Sequence, residues 1–275
     1  MEVKKIVTHV APRHFDDTMA VSLLLQKYPN AKVEFLHPQD DKEKIEEYIK
    51  RKDVILVDIG GTYDEKLKNY DHHQDKEMPC SLVLVLANEF PEYLKLLEED
   101  EDIKKEMEYF DIKDREGFLK AKEKTGVSTS LIQESVILEM GNDVEGLKKL
   151  GEAFKKYLDK KLEIINNLEK AKVKKVNGLK VIIDENTCPP SLLFKKYDAD
   201  LIIQRNSFNK NDTSVIKNTG KKTSETIKLE NLKDEAKFVH KAGFIAVLPK
   251  EINEVEKDLD KIINKIKEKG NAPSL

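Results

Sequence analysis

Histidine is scarce in this chain, and where it falls is the first clue to chemistry. Of six histidines, His9, His14, His72 and His73 sit in two short motifs that also carry aspartates. The first runs His9-Val10-Ala11-Pro12-Arg13-His14-Phe15-Asp16-Asp17, and the second Tyr70-Asp71-His72-His73-Gln74. Between them Val57-Asp58-Ile59-Gly60-Gly61 closes an apolar run with a carboxylate, and Phe110-Asp111-Ile112-Lys113-Asp114 follows later. Each has a plain structural reading by itself: Asp16 or Asp17 can cap a helix, Asp58 a turn, and the others can be exposed polar turns. Together they mix imidazole and carboxylate donors, which suits Mn²⁺, Fe²⁺, Co²⁺ or Zn²⁺ better than Ca²⁺ or Mg²⁺. Six such donors suffice for two ions sharing a bridging carboxylate. Such a pair clamps the attacking and leaving oxygens of a phosphoryl centre.

These residues need a scaffold, and the first third of the chain predicts one. Residues 3–10, 31–36 and 54–59 read as strands, with helices over 16–28 and 42–51. Strands alternating with helices predict a parallel sheet with right-handed crossovers, whose ligands gather beyond the carboxyl ends of the strands. His9 and Asp58 stand at such ends. Residues 79–110 read as mostly helical, interrupted before Pro91, with Asp111 in an acidic turn after the helix. A lysine-rich amphipathic stretch over 143–172 predicts a long bridging helix. Beyond it comes a hairpin over 173–184 turning at Asn177-Gly178, then strands near 201–205, 214–218, 225–229 and 244–248 and a closing helix over 252–269. The fold class is therefore α/β: an N-terminal parallel-sheet domain and a smaller C-terminal α+β domain, joined by a helical linker. Residues 270–275 read as a loose tail.

Composition excludes several alternatives. The net charge is −3, so the chain is not built as a whole to hold nucleic acid, although short substrates need only a few phosphate contacts. No stretch approaches the roughly 20 apolar residues of a membrane span, and no signal peptide is visible. Cys80 and Cys188 are far apart, which argues for a reducing cytoplasm and against a disulfide framework.

The motifs as a set resemble the DHH phosphoesterase superfamily, which includes RecJ exonucleases, nanoRNA hydrolases and family II pyrophosphatases. More narrowly, they are similar to the melanocyte-proliferating-gene exonuclease family and its uncharacterised prokaryotic relatives. The residues behind this are Thr8-His9, His14-Phe15-Asp16-Asp17, Val57-Asp58-Ile59-Gly60-Gly61-Thr62-Tyr63-Asp64 and Tyr70-Asp71-His72-His73-Gln74. Asp111 with Asp114, Phe238-Val239-His240 and Gly243-Phe244 complete the pattern. Departures occur at Val10-Ala11-Pro12-Arg13, where relatives carry asparagine-glycine-threonine, and at Arg115-Glu116-Gly117. The tryptophan-bearing stretch of the eukaryotic C-terminal domain is also missing.

The resemblance implies a DHH-type metal and catalytic domain over residues 1–125, a helical linker over 126–172 and a substrate-binding domain over 173–275. It implies two divalent ions, Mn²⁺ foremost. His9, His14 and Asp58 would hold one; Asp16, Asp58, His72 and Asp111 would hold the other, with Asp58 as the bridge. His73 would meet the scissile phosphate, while Asp17 and Asp71 would orient imidazoles and loops. In the C-terminal domain Arg205 and His240 are candidates to grip substrate phosphate. The activity implied is a phosphodiesterase or exonuclease that activates water with two metals at short RNA or DNA ends. The alternatives are a small-molecule phosphatase acting on pyrophosphate, a bisphosphorylated nucleotide or a cyclic dinucleotide, and a metal- and nucleotide-binding regulator without catalysis. The expected partner is a short nucleic acid or nucleotide, not a membrane. Oligomeric state is left open, a homodimer included.

Overall fold

The computed structural model describes residues 2–128 and 131–267. The chain divides into two compact units, Met1–Leu162 and Glu163–Leu275.

The first unit is built on a sheet of order β2-β1-β3-β5-β4, with β1 Lys5–His9, β2 Lys32–Leu36, β3 Val54–Val57, β4 Tyr63–Asp64 and β5 Asn69–Tyr70. β1 pairs in parallel with both β2 and β3, β3 pairs in parallel with β5, and β4 is an antiparallel edge. Helix α1 (Phe15–Lys27) carries the chain from β1 to β2, and α2 (Lys42–Tyr48) returns it across β1 to β3. This reversal makes the carboxyl ends of β1 and β3 a topological switch point, where a crevice opens for ligands. Right-handed crossovers in opposite directions place α1 and α2 on opposite faces. Alternation along the strands agrees: Val7, Val54 and Leu56 pack with Ile45 and Tyr48 of α2, while Ile6 and Ile55 are buried on the other side. Residues Asp16 to Leu25 of α1 are all buried, so this helix is enclosed rather than amphipathic.

Helices α3 (Ser81–Glu89), α4 (Leu94–Glu99), α5 (Glu101–Glu116), α6 (Phe118–Thr125), α7 (Leu131–Met140) and α8 (Val144–Leu168) follow. Here one expectation is corrected. Asp111 lies inside α5, not in a turn after a helix, because Asp100 caps the helix start through Asp102 N and Ile103 N and Gly117, at φ 90°, ends it. Strands β4 and β5 were not foreseen, since two-residue strands leave no periodic signal.

The second unit holds a six-stranded sheet of order β10-β11-β9-β8-β7-β6. Its strands are β6 Lys172–Val176, β7 Leu179–Asp184, β8 Leu201–Arg205, β9 Thr213–Lys217, β10 Phe238–Val239 and β11 Ile245–Leu248. The 173–184 hairpin forms as expected, with Asn177 and Gly178 at φ 49° and 82°. β7 and β8 are parallel, connected through α9 (Pro190–Tyr197); the other pairings are antiparallel. Val181, Ile183, Leu201 and Ile203 pack against α10 (Ile252–Lys257) and α11 (Leu259–Lys267). Ile182 and Ile202 face Leu193 of α9. The strand expected over 225–229 is absent: 3₁₀ turns over Lys222–Thr226 and Leu229–Leu232 bury Ile227, Leu229 and Leu232 instead. Those apolar residues fill a core without joining a ladder. The tail over 270–275 lies outside the described residues.

Candidate metal centre

Three strand ends of the first sheet converge. His9 ends β1, Asp58 follows β3, and Asp71, His72 and His73 follow β5. Asp58 turns the chain in the left-handed region (φ 57°), which an aspartate tolerates better than most side chains, and its N–H donates to Tyr70 O at 3.1 Å. Gly60 and Gly61 continue the turn at positive φ, and Gly61 N donates to Asp71 Oδ2 at 2.7 Å. Helix α1 brings Asp16 and Asp17 up from below.

Three sets of donors have ligand atoms within 4.8 Å of one another: His9, Asp17 and Asp58; Asp58, His72 and His73; and His14, Asp16 and Asp114. Asp58 belongs to two of them. His9 Nε2 lies 3.3 Å from Asp58 Oδ2, and His72 Nε2 lies 3.2 Å from Asp58 Oδ1 and 2.9 Å from Asp114 Oδ2. His9 Nδ1 is held by Val10 O at 2.6 Å, which directs Nε2 toward the carboxylates.

The neighbouring aspartates of α1 do different things. Asp17 accepts from His14 N at 2.8 Å and Thr18 N at 2.7 Å, and from Arg13 Nε, so it serves as the reciprocal helix cap. Asp16 is 1% exposed, and neither carboxylate oxygen has a hydrogen-bond partner. His72 Nε2 is likewise buried and unaligned for a hydrogen bond despite its short distances to carboxylates. Buried acceptors converging without donors between them are what a cation satisfies. The residues present therefore fit divalent ions.

Electrostatics tell the same story. Burial, joined by the carboxylates of Asp58, Asp114 and Asp17, holds the Asp16 carboxyl well above its ordinary pKa. Burial opposes charge on His9 and His72 too, yet their aspartate neighbours outweigh it and raise both to about 10. Burial also works against ionised Asp58, but the imidazoles of His72 and His9 hold it low.

Not every expected residue joins. Asp111 belongs to none of the three groups. Its Oδ1 accepts from Cys80 N at 2.7 Å, and both its oxygens meet the Arg115 guanidinium, so it ties α3 to α5. Asp114, three residues on, faces His14 Nδ1 at 3.4 Å and His72. The Asp111–Asp114 spacing was visible in sequence, but not which carboxylate would be free. Asp71 accepts from His73 Nδ1 at 2.7 Å, and the His73 ring is exposed. Arg13 was not singled out by the sequence: its side chain is 1% exposed, with its guanidinium 5.2 Å from the Phe35 ring and its terminal nitrogens unpartnered.

In the second unit, Arg205 and His240 are apart. Arg205 ends β8 and pairs with Thr213, whereas His240 N donates to Ile245 O, level with Ile216 and Ile202 near the other end of the sheet. Strands β8 and β10 are also three positions apart, roughly 14 Å at ~4.8 Å per strand. One phosphate group cannot meet both. Arg205 instead lies 3.8 Å from Glu185, and His240 packs 4.2 Å from the Phe244 ring.

No curated protein matches the chain. Among solved structures it is similar to a pGpG-specific phosphodiesterase, PggH, of Vibrio cholerae: 14% identity, TM-score 0.34, over 97% of this chain and 100% of that one. RecJ of Thermus thermophilus in complex with Mn²⁺ gives 12% identity and a TM-score of 0.28, over 96% of this chain and 51% of that one. An exopolyphosphatase-related protein of Bacteroides fragilis gives 12% and 0.26, over 97% and 93%. Superpositions this loose say nothing of activity. A family model, labelled MYG1 exonuclease and described as an uncharacterised protein family (UPF0160), matches residues 5–80, a span that holds the motifs from Thr8 to Gln74. Over those residues the chain matches the family that its histidine and aspartate motifs resemble.

Proposed function

We propose that this protein is a divalent-metal-dependent phosphoesterase acting on short nucleic-acid ends or nucleotides. The observation that carries the reading is the Asp16 carboxylate, buried and unpartnered beside donor groups that share Asp58. His9, Asp58 and His72 would hold metal at the strand ends, with His14 and Asp16 beside them and Asp114 in place of Asp111. Mn²⁺ is the ion proposed, since the donors mix imidazole with carboxylate. Two such ions supply Lewis-acid stabilisation of a phosphoryl group and acidify water.

The chain's own residues have separate tasks. Asp71 raises the pKa of His73 and so favours its imidazolium form, which from this exposed position can donate to a phosphoryl oxygen. Asp17, anchored by Arg13, lies 3.1 Å from His9 Nε2 and steadies that ring. The proposed setting is a reducing cytoplasm, with Cys80 and Cys188 both free and buried. Among the described residues no helix is long and apolar enough to cross a membrane.

The test is incubation of the purified protein and Mn²⁺ with labelled oligonucleotides, cyclic dinucleotides and pyrophosphate. Stepwise release of nucleotides is expected. Phosphate release from pyrophosphate alone would favour the small-molecule phosphatase, and tight metal binding without turnover of any substrate would overturn the enzyme reading. Asp58→Ala and His72→Ala should each abolish turnover while the circular-dichroism spectrum stays that of the parent.

A further inference from the structure

Two adjacent carboxylates of α1 are buried at the metal centre, Asp16 at 1% and Asp17 at 0% exposure, and only Asp16 is free. Asp17 belongs to the donor group with His9 and Asp58, and its Oδ2 lies 3.1 Å from His9 Nε2. That same oxygen accepts from Arg13 Nε, while Oδ1 accepts from the N–H groups of His14 and Thr18 at 2.8 and 2.7 Å. The Arg13 side chain is 1% exposed, and its guanidinium lies 5.2 Å from the Phe35 ring. Neither of its terminal nitrogens has a hydrogen-bond partner among the described residues. Asp17 is thus the one carboxylate, among the described residues, within ion-pair distance of this buried cation. Arginine keeps its proton in a protein, and stranding a buried charge is among the costlier changes a fold can undergo. Asp17 cannot turn Oδ2 to an ion without leaving Arg13 in that state.

We infer that Arg13 is a positioning residue that withholds Asp17 from the ions, so that the ion held by His9 is the weaker-bound of two and its occupancy follows the free metal concentration. The inference rests on the metal-dependent reading above and adds to it a cause of unequal affinity. With Asp17 committed, the group around His9 keeps one imidazole and the shared Asp58 carboxylate. The other two groups retain Asp16, whose oxygens are unpartnered, together with His14, His72 and Asp114. The fixed positive charge of Arg13 also opposes a divalent ion beside Asp17, in a buried setting where solvent screens it little. Removing that charge should tighten the ion. A residue that merely braced Asp17 would, once removed, loosen it.

Titration of the metal-free, full-length protein with Mn²⁺, with free ion counted by electron paramagnetic resonance, reads this sign directly. Arg13→Gln and Arg13→Met, the second keeping an apolar stem on Phe35, should each tighten the weaker ion at least about tenfold and change the tighter one much less. Arg13→Lys keeps a positive charge and should stay within about threefold of the parent. An affinity lowered or unchanged in both neutral variants, or raised as much by lysine, would overturn the inference. A measurement on the parent serves if the neutral variants do not fold. In its nitrogen-15 spectrum the Arg13 Nε–H, assigned by its loss in Arg13→Lys, should remain slow to exchange after diamagnetic Zn²⁺ is added. Fast exchange on loading would mean that Asp17 has left Arg13 for an ion, and would overturn the inference as well. Failure of the parent to bind Mn²⁺ at all would remove the metal-dependent reading together with this one. Metal binding that the substitutions do not tighten would remove this one alone.

Discussion

Asp17 uses its carboxylate on the N–H groups of His14 and Thr18 and on Arg13, while Asp16, one residue earlier, keeps two buried oxygens without a partner. A carboxyl whose folded-state pKa is raised weakens the fold as pH climbs above its unfolded value of ~3.9, and that loss persists until a cation or proton relieves it. Asp16→Asn should therefore stabilise the metal-free protein at pH 7. Mn²⁺ should raise the melting temperature of the parent by more than that of this variant, as thermal melts with and without metal would show. His9 and His72, both raised to about 10, must yield protons to an ion, so metal affinity should rise with pH. Calorimetry at pH 6 and pH 8 should find a gain of at least about tenfold, with proton release visible across buffers. The two aspartates of α5 divide in the same way. Asp114→Asn should weaken Mn²⁺ binding with little loss of stability, whereas Asp111→Asn, which loosens the tie to Cys80 N and Arg115, should lower the melting temperature and keep metal affinity close to the parent's.

Among elements, α1 presents Asp16 and Asp17, and α8 lies across it at very close range. A Cβ on Gly151 would stand 2.0 Å from Ser22 O and 2.6 Å from Ser22 C, both backbone atoms that cannot step aside. Gly141 has a similar constraint, with Ile137 O at 2.5 Å and Thr18 Oγ1 at 3.2 Å. Gln26 Nε2 donates to Lys148 O at 3.0 Å along the same contact. Gly151→Ala should force the helices apart and cost about 1–3 kcal/mol, read as a lower urea midpoint. Elements with a strong local period were legible from sequence: β1, α1, β2, α2 and β3 all stand within a few residues of their expected spans. Others were not. β5, which delivers His72, is two residues long and exists because it pairs with β3. Residues 225–229 alternate like a strand but pack as 3₁₀ turns, since burial of Ile227 and Leu229 decided the backbone there.

At the scale of the molecule, the first unit is tied together by a buried carboxylate remote from the donors. Glu89, at the end of α3, bonds Tyr28 OH and Tyr70 OH at 2.7 Å each, with Lys27 Nζ at 2.8 Å and Lys68 in contact. It joins the end of α1 to β5. Burial opposes its charge, but Lys27 and Lys68 prevail and lower its pKa from 4.5 to about 2. The sign follows directly: the stabilisation is whole above pH ~4.5 and disappears as pH falls toward 2. Glu89→Gln should cost on the order of 3 kcal/mol at pH 7, and the gap between variant and parent should narrow by pH 3 in urea titrations.

The sequence by itself determined the kinds of donor, their chain order and the strand ends that carry them. Residue type and short-range periodicity are local properties, and the switch between β1 and β3 follows from alternating strands and helices. Tertiary structure decided which of those donors are free. Asp111 is taken by a backbone N–H 31 residues away and Asp114 is not; Asp17 is taken by its own helix and Asp16 is not. It also set Arg205 and His240 far apart on their sheet, a consequence of strand order and register that no local pattern encodes. A carboxylate's hydrogen-bond partners and burial come from the packing of distant segments, so its role as cap, strut or metal donor is settled only when the chain is folded.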